Sequence, residues 1–245
     1  MKILALDSAT AACSAAVWID DGVVAHRFDS MSRGHAERLM PMVRDVMAES
    51  DITFGDLDFI ATTTGPGGFT GLRVGLAAAR ALALAAKIPI FGYTTLEVVA
   101  RSPRIYSQQI LPVPRPLLVV LDAKRTDYYF QLFHSDRANL TEPATASPTV
   151  MAAVVATELG VTGTSPDDPL SICGDGADAV IEKLRACGVL LHRDGGPDAP
   201  DAAVLASLAH ADASDADANE AAFGIMSRPP EPLYLRAPDA ALPRR

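Results

Sequence analysis

The stretch TTTGPGGFTGLRVG, Thr62 to Gly75, decides how this chain is read. Ahead of it, LDFIATTT has the apolar, β-prone pattern of a buried strand; behind it, TGLRVGLAAARALALAA has the periodicity and length of a helix. Gly65, Gly67 and Gly68 therefore occupy a strand-to-helix turn, where they permit backbone geometry that other residues resist, and Pro66 fixes one dihedral between them. Thr70 offers a hydroxyl to cap the helix. Amides at a helix start attract anions, so the turn reads either as a phosphate cradle or as a tight bend ahead of a closely packed helix. It lacks the Lys-Ser or Lys-Thr of a P-loop, and its only cation is Arg73. Gly71, Gly75, Ala78, Ala79, Leu82 and Ala86 recur at helical spacing and give the helix a small-residue face. Such a face admits a close neighbour, which is either a partner or the chain's own core.

The 245 residues suffice for two domains of ordinary size. Hydrophobic residues make up 49% and charged residues 21%, a balance that argues against global disorder. A net charge of -9 without a long basic cluster argues against holding nucleic acid unaided. Cys13, Cys173 and Cys187 show no CxxC spacing and read as reduced thiols, not as a disulfide framework or a zinc site. The start MKILALDSAT is too poor in apolar residues for a signal peptide. The apolar stretch Leu76 to Ala86 contains Arg80 and reads as too short to span a bilayer, so a soluble, cytoplasmic protein is expected.

Working outward, KILALD, CSAAVWID and VVAHRFD read as three strands, the last two joined by an Asp21-Gly22 hairpin turn. A helix is predicted over His35 to Glu49, with Leu39, Met40, Val43, Val46 and Met47 on its apolar side and Pro41 bending it. Strand Phe59 to Thr64, the glycine turn, the second helix, strand Ile88 to Thr94 and a helix capped by Thr95 and running towards Ala100 complete one α/β unit. Pro103, Pro112, Pro114 and Pro116 mark an extended crossing from Arg101 to Pro116, which divides the chain into domains 1–110 and 111–245. Leu118 to Phe133 then repeats the organisation of Ile3 to Ile19, with Asp122 matching Asp7. SICGDGADAVIEKLRACG repeats the order of strand, glycine turn and helix, so two loosely similar α/β halves are predicted, the second reduced. Thr149 to Leu159 and Asp201 to Ala211 read as helices, VLLHR as a short strand and ADASDADANE as a solvated acidic segment. Leu233, Tyr234 and Leu235 read as an extended anchor, and PDAALPRR as a frayed tail.

A strand ending in Asp7, a polar loop, a hairpin and a duplicated α/β unit resemble the actin, sugar-kinase and Hsp70 superfamily, with its two actin-like, ribonuclease H-like halves. Asp7-Ser8-Ala9-Thr10, His35-Ala36-Glu37-Arg38-Leu39 leading into Pro41, GPGGFTGLRVG and Pro232-Leu233-Tyr234-Leu235-Arg236 resemble, more narrowly, the bacterial TsaB family, also called YeaZ. The likeness covers essentially the whole chain, most strongly residues 1–100; Gly68 stands where serine is usual. It implies a noncatalytic scaffold required by the paralogue TsaD for placing threonylcarbamoyl on adenosine 37 of tRNAs that decode ANN codons. TsaE is implied as a further member of the complex. A homodimer is implied when the chain is alone, and tRNA is reached through the complex, with no membrane involved. The implied partner surface comprises His35, Leu39, Met40, Val43 and Met47 from the first helix, and Thr70, Gly71, Arg73, Val74, Gly75, Ala78, Ala79 and Leu82 from the second.

TsaD proteins place two histidines four residues apart to hold a metal, whereas here His35 is followed by Leu39. His26, His134, His192 and His210 are scattered, so no metal is expected. With no HExxH and no spaced nucleophile, histidine and acid, a peptidase finds no support. Asp7 has two readings. In a nucleotide enzyme it orients magnesium near phosphate, with Ser8, Thr10, Gly65, Gly67 and Gly68 forming a weak or vestigial ATP or ADP site. Otherwise it caps its own turn. Asp122, Lys124 and Arg125 do not complete a phosphotransfer set. Arg73, Arg80, Glu37 and Arg38 are either a solvated rim or the charges that select a partner. Met40 and Met47 share a helix face, and a Met-rich surface accommodates more than one partner. The scaffold leads; an actin-like-fold, ATP-dependent phosphotransferase is the alternative.

Overall fold

Strand β1 (Lys2–Asp7) is buried from Ile3 to Asp7 and lies at the centre of a sheet, as its unbroken apolar run requires. The computed structural model describes residues 1–106, 115–159, 169–218 and 228–235. β1 pairs antiparallel with β2 (Ala12–Ile19), which pairs antiparallel with β3 (Gly22–Ser30). β4 (Phe59–Gly65) runs parallel to β1, and β5 (Ile90–Thr94) parallel to β4, giving the order β3-β2-β1-β4-β5. The hairpin turn is Asp20-Asp21, one residue earlier than predicted, because Gly22 already pairs with Ile19 and Asp20 takes the left-handed φ of 53°.

The second sheet repeats the first strand for strand. β6 (Leu117–Asp122), β7 (Tyr128–Phe133) and β8 (Ala144–Ala146) are antiparallel neighbours, while β9 (Leu170–Cys173) and β10 (Leu191–Arg193) add in parallel on the other side of β6. Read from the far edge, the order β8-β7-β6-β9-β10 is that of the first sheet, and Asp122 ends β6 as Asp7 ends β1. Gly65 at the end of β4 and Gly174 just after β9 take matching φ values of 102° and 99°. Two ribonuclease H-like halves are thus present. β8 escaped sequence reading because three residues carry no usable period.

Helices α1 (His35–Glu49) and α2 (Phe69–Ala86) cover one face of the first sheet, packing Leu39, Val43 and Ala79 against Leu4, Leu6 and Ile60. Each buried leucine-sized side chain contributes roughly 1.5–3 kcal/mol. α4 (Pro148–Leu159) and α5 (Ala177–Ala186) do the same for the second sheet through Met151, Val155, Val180 and Leu184. The other two helices are exchanged. α3 (Thr95–Tyr106) follows the first sheet yet packs Leu96, Val99 and Ala100 on Leu117, Val119 and Leu121 of the second. α6 (Ala202–Ala218) follows the second sheet and packs Val204, Leu205 and Leu208 on Ile3, Ala5 and Phe59 of the first. Both sheets have two apolar faces, and the last helix returns to the first sheet to cover one of them.

Thr94, not Thr95, caps α3. Its hydroxyl oxygen accepts the Glu97 amide at 3.0 Å, and the Glu97 carboxylate accepts the Thr94 amide at 2.8 Å. The helix continues past Ala100 to Tyr106, taking in the start of the expected crossing; residues 107–114 of that crossing lie outside the described residues, as do the loop at 160–168 and the tail from 236. The acidic segment predicted to be solvated continues α6 to Ala218, and Asp212 pairs with Arg228 at 3.3 Å. The anchor is a strap, residues 228–235. Gly92 donates to the Arg228 carbonyl at 3.0 Å and Leu233 donates to the Thr64 carbonyl at 2.7 Å, so the strap lies along β5 and the end of β4. α2 begins early enough to reach 18 residues at mean hydropathy 1.4, long and apolar enough to cross a membrane, contrary to expectation; here Leu72, Leu76, Ala79 and Ala83 are buried in the fold.

Candidate functional site

The glycine turn meets the loop after β1. Gly68 is the N-cap of α2 and supplies no side chain, while Thr70 is the exposed second residue of the helix, so the predicted threonine cap is corrected. Gly67, just ahead of α2, and Gly71 and Gly75 within it lie against Ser8 and Ala9. A Cβ at Gly67 would sit 2.2 Å from the Ala9 carbonyl oxygen, one at Gly71 would sit 2.2 Å from that of Ser8, and one at Gly75 would sit 2.8 Å from the Ser8 hydroxyl. The Ser8 hydroxyl donates to the Gly71 carbonyl at 2.8 Å, and the Gly68 amide donates to the Ala9 carbonyl at 2.7 Å. The close approach that these glycines permit is thus made by the chain's own loop. The Gly68 amide, a natural phosphate donor, is already used.

Asp7 lies behind this contact, fully buried. Its Oδ1 accepts the Thr63 hydroxyl at 2.5 Å and the Ala9 amide at 3.1 Å, while Oδ2 has no hydrogen-bond partner among the described residues. Burial pushes the carboxyl up to about 7 against the pull of the Thr63 and Ala9 hydrogen bonds, and the charge of Asp201 adds to the rise. Asp7 therefore caps its own turn and does not border the cleft between the halves.

That cleft, of about 650 Å³, is bordered by Thr10, Gly67 and Gly68 but not by Asp7, Ser8 or Gly65. His35 is a strut beside it, its Nε2 donating to the Thr10 carbonyl at 2.9 Å. On the opposite wall the Lys124 ammonium is held by Asp122 at 2.9 Å, and Asp175 accepts the Asp122 amide at 2.8 Å. Burial raises the Asp175 carboxyl above the ordinary range. These residues do not fit a magnesium nucleotide oriented by Asp7: that carboxyl is fully buried and does not border the cleft. Among the described residues no three His, Cys, Asp or Glu side chains gather as metal ligands.

The residues expected at the partner surface divide by burial. Leu39, Val43, Met47, Gly75 and Ala79 are spent inside the chain; His35, Gly71, Val74, Ala78 and Leu82 are half-buried; Met40, Thr70 and Arg73 are exposed. Met40 and Met47 part company, at 43% and 5% exposure, and the core cluster that takes Met47 also takes Ile52 and Phe54 from the segment after α1. Sequence reasoning passed over the outward side of α2, where Phe69, Ala77, Ala81, Leu84 and Ala85 are exposed, Leu84 at 82%. The signal was present: removing the core stripe Leu72, Leu76, Ala79 and Ala83 leaves a second side of alanines and leucine with only Arg73 and Arg80 as charges. Arg80 donates to the Pro230 carbonyl. Arg73 stacks 3.6 Å over the Phe69 ring and donates through Nε to the Tyr234 hydroxyl at 3.0 Å.

Two ribonuclease H-like halves across a cleft, with exchanged covering helices, define an actin-like α/β protein. The chain superposes over 96% of its length on YeaZ from Pseudomonas aeruginosa, TM-score 0.71, with 25% identity and 99% of that chain covered. The family model for TsaD, tRNA N6-adenosine threonylcarbamoyltransferase, matches residues 22–164, more than half of the chain. The chain therefore belongs to the TsaD family, on its TsaB (YeaZ) side. It is similar to the tRNA threonylcarbamoyladenosine biosynthesis protein TsaB of Escherichia coli strain K12, 45% identical over 101 residues, 41% of this chain and 43% of that protein. The TsaB of Bacillus subtilis strain 168 is 32% identical over 133 residues, 54% of this chain and 55% of that protein. The matched stretch thus spans about half, or less, of these curated relatives.

Proposed function

We propose that the chain is the noncatalytic scaffold subunit on which TsaD transfers threonylcarbamoyl to adenosine 37 of ANN-decoding tRNAs. It works in the cytoplasm, TsaE joins the assembled complex, and tRNA is held by the complex and not by this acidic chain alone. The observation that supports the reading most is the pairing of a closed cradle with an open helix face. Ser8 and Ala9 occupy the glycine turn, and Asp7 is sealed behind them, while α2 leaves Ala77, Ala81 and Leu84 uncovered. That is the arrangement of a chain that holds a partner, not of one that turns over nucleotide. The names of the curated relatives point to the same pathway. The partner surface narrows to Met40, Thr70, Arg73, Val74, Ala78 and Leu82, joined by the alanines and leucine just named, and without TsaD the same surface joins two copies. An ATP or ADP in the assembled complex borders Thr10, Gly67 and Gly68, with its chemistry supplied by the partner.

Sedimentation of the chain alone and mixed with TsaD from the same cell tests this reading. A heterodimer that is lost on Ala81→Glu supports it. Failure of the unmodified proteins to associate, with and without nucleotide, overturns it; ATP hydrolysis abolished by Asp7→Asn then favours the phosphotransferase.

A further inference from the structure

The chain is acidic, and among the described residues six of its arginines are satisfied at home. Arg27, Arg38, Arg44, Arg185, Arg193 and Arg228 each pair with a carboxylate of the same chain. Arg73 does not. Its guanidinium is nonetheless held: it stacks 3.6 Å over the Phe69 ring one turn earlier, Nε is tied to the Tyr234 hydroxyl at 3.0 Å, and the Tyr234 ring flanks the stack, 5.9 Å from the guanidinium carbon and 5.9 Å from the Phe69 ring. Both aromatic rings are themselves about half exposed, Phe69 at 55% and Tyr234 at 45%. The terminal nitrogens have no protein acceptor among the described residues. Immobilising an exposed arginine without using its fork leaves a planar, bidentate donor already ordered for an incoming acceptor, so little rotamer entropy remains to be lost on binding.

Resting on the scaffold reading above, we propose that Arg73, clamped by Phe69 and Tyr234, is the anchor by which α2 captures a carboxylate side chain of the partner protein. The acceptor is a carboxylate because the surroundings are those of a protein interface. The aromatic pair and the arginine are the residue types that dominate such contacts, and Ala77, Ala81 and Leu84 continue the surface along α2. No acid of α2 itself competes for the fork. A phosphodiester backbone calls instead for a basic track, and α2 carries only Arg73 and Arg80, the second already bound to the Pro230 carbonyl. Tyr234 is a positioning residue: its hydroxyl sets the plane of the fork, and it comes from the strap, so the C-terminal segment helps to define the partner-facing surface of a helix about 160 residues earlier in the chain.

The test is the dissociation constant for TsaD, measured by calorimetry on the full chain and on Arg73→Lys, Arg73→Met and Tyr234→Phe, with thermal midpoints recorded for each. Arg73→Lys keeps the charge but loses the fork; it is expected to weaken association roughly tenfold or more, Arg73→Met at least as much, and Tyr234→Phe roughly threefold. Midpoints should stay within a few degrees, since the side chain is exposed; should Arg73→Met fold poorly, Tyr234→Phe, which removes one oxygen, carries the test. Affinity within about twofold of the wild type in Arg73→Lys and Tyr234→Phe overturns the anchor while leaving the scaffold reading intact, provided that Ala81→Glu still abolishes binding. Unchanged TsaD affinity with weakened tRNA binding by the assembled complex overturns it in favour of a phosphate acceptor. If the wild-type chain does not bind TsaD, both readings fall together.

Discussion

Ser8 and Gly71 are bonded across 63 residues of sequence: the Ser8 hydroxyl donates to the Gly71 carbonyl at 2.8 Å, and a Cβ at Gly71 would lie 2.2 Å from the Ser8 carbonyl oxygen. This contact seats α2 on the loop after β1, beside the buried Asp7. It also ranks the glycines of the turn by what each must accommodate.

Gly71→Ala and Gly67→Ala are expected to destabilise the protein by roughly 2–4 kcal/mol, because each Cβ meets backbone and not a movable side chain. Gly68→Ser should be close to neutral. Gly68 has φ -66°, open to any residue, and its Cβ would meet only the Ala9 oxygen at 3.7 Å. Urea unfolding of the three variants checks the order; equal losses would show that the Ser8 contact does not fix the helix.

Asp7 predicts a pH dependence with a definite sign. Its carboxyl titrates at about 7 in the folded chain against 3.8 for the unfolded reference, so the folded state binds the extra proton between these values. Stability from this group is fully present below about pH 4 and is lost as pH rises towards about 7, by at most on the order of 4 kcal/mol. Asp7→Asn keeps an oxygen for the Thr63 and Ala9 donors and removes the charge. Its stability relative to the wild type should therefore rise with pH across that window; a difference that is flat with pH contradicts the burial argument.

The outward side of α2 predicts a separation of binding from folding. Ala81→Glu and Met40→Glu place charges at exposed positions, so stability should change by no more than about 0.5 kcal/mol. Association with TsaD should weaken by roughly tenfold or more if these positions are covered in the complex. Parallel thermal melts and sedimentation distinguish the two effects.

Arg228 fastens the strap. It pairs with Glu97 and with Asp212, each at 3.3 Å, and stacks 4.5 Å over Tyr93. Burial raises the Asp212 carboxyl, and the Arg228 charge opposes that rise. Arg228→Met leaves two acids facing each other beside Tyr93 and should cost roughly 1–3 kcal/mol. Arg228→Lys should recover only part of it, because the planar stack is lost. Chemical denaturation of both variants measures the pair.

The division between what could be read and what could not runs through single helices. α1 is bounded at His35 and Glu49 as its spacing predicts, yet Met40 and Met47, placed together by that spacing, differ in burial because the core cluster around Met47 draws in Ile52 and Phe54 from beyond the helix. On α2 the small-residue side was visible, but its neighbour was not: Gly71 and Gly75, with Gly67 just ahead of the helix, serve the loop of Ser8 and Ala9, and the side left exposed is the one bearing Ala77, Ala81 and Leu84. The Phe69–Arg73 stack was within reach, since residues four apart on a helix are neighbours, whereas its third member, Tyr234, was not.

What the sequence determined by itself was therefore everything carried by short-range periodicity and turn chemistry: the strands ending in Asp7 and Asp122, the glycine turns at Gly65 and Gly174, the duplicated α/β order and the family likeness. Only the tertiary structure decided that α3 and α6 exchange sheets, that Asp7 is fully buried behind the Ser8 loop, and that Arg73 is held by Phe69 and Tyr234 while pairing with no carboxylate among the described residues. The physical reason is range. A residue's period is set by its near neighbours in the chain, whereas burial and partnership are set by contacts such as Ser8 with Gly71 and Arg73 with Tyr234, which exist only once distant segments have packed.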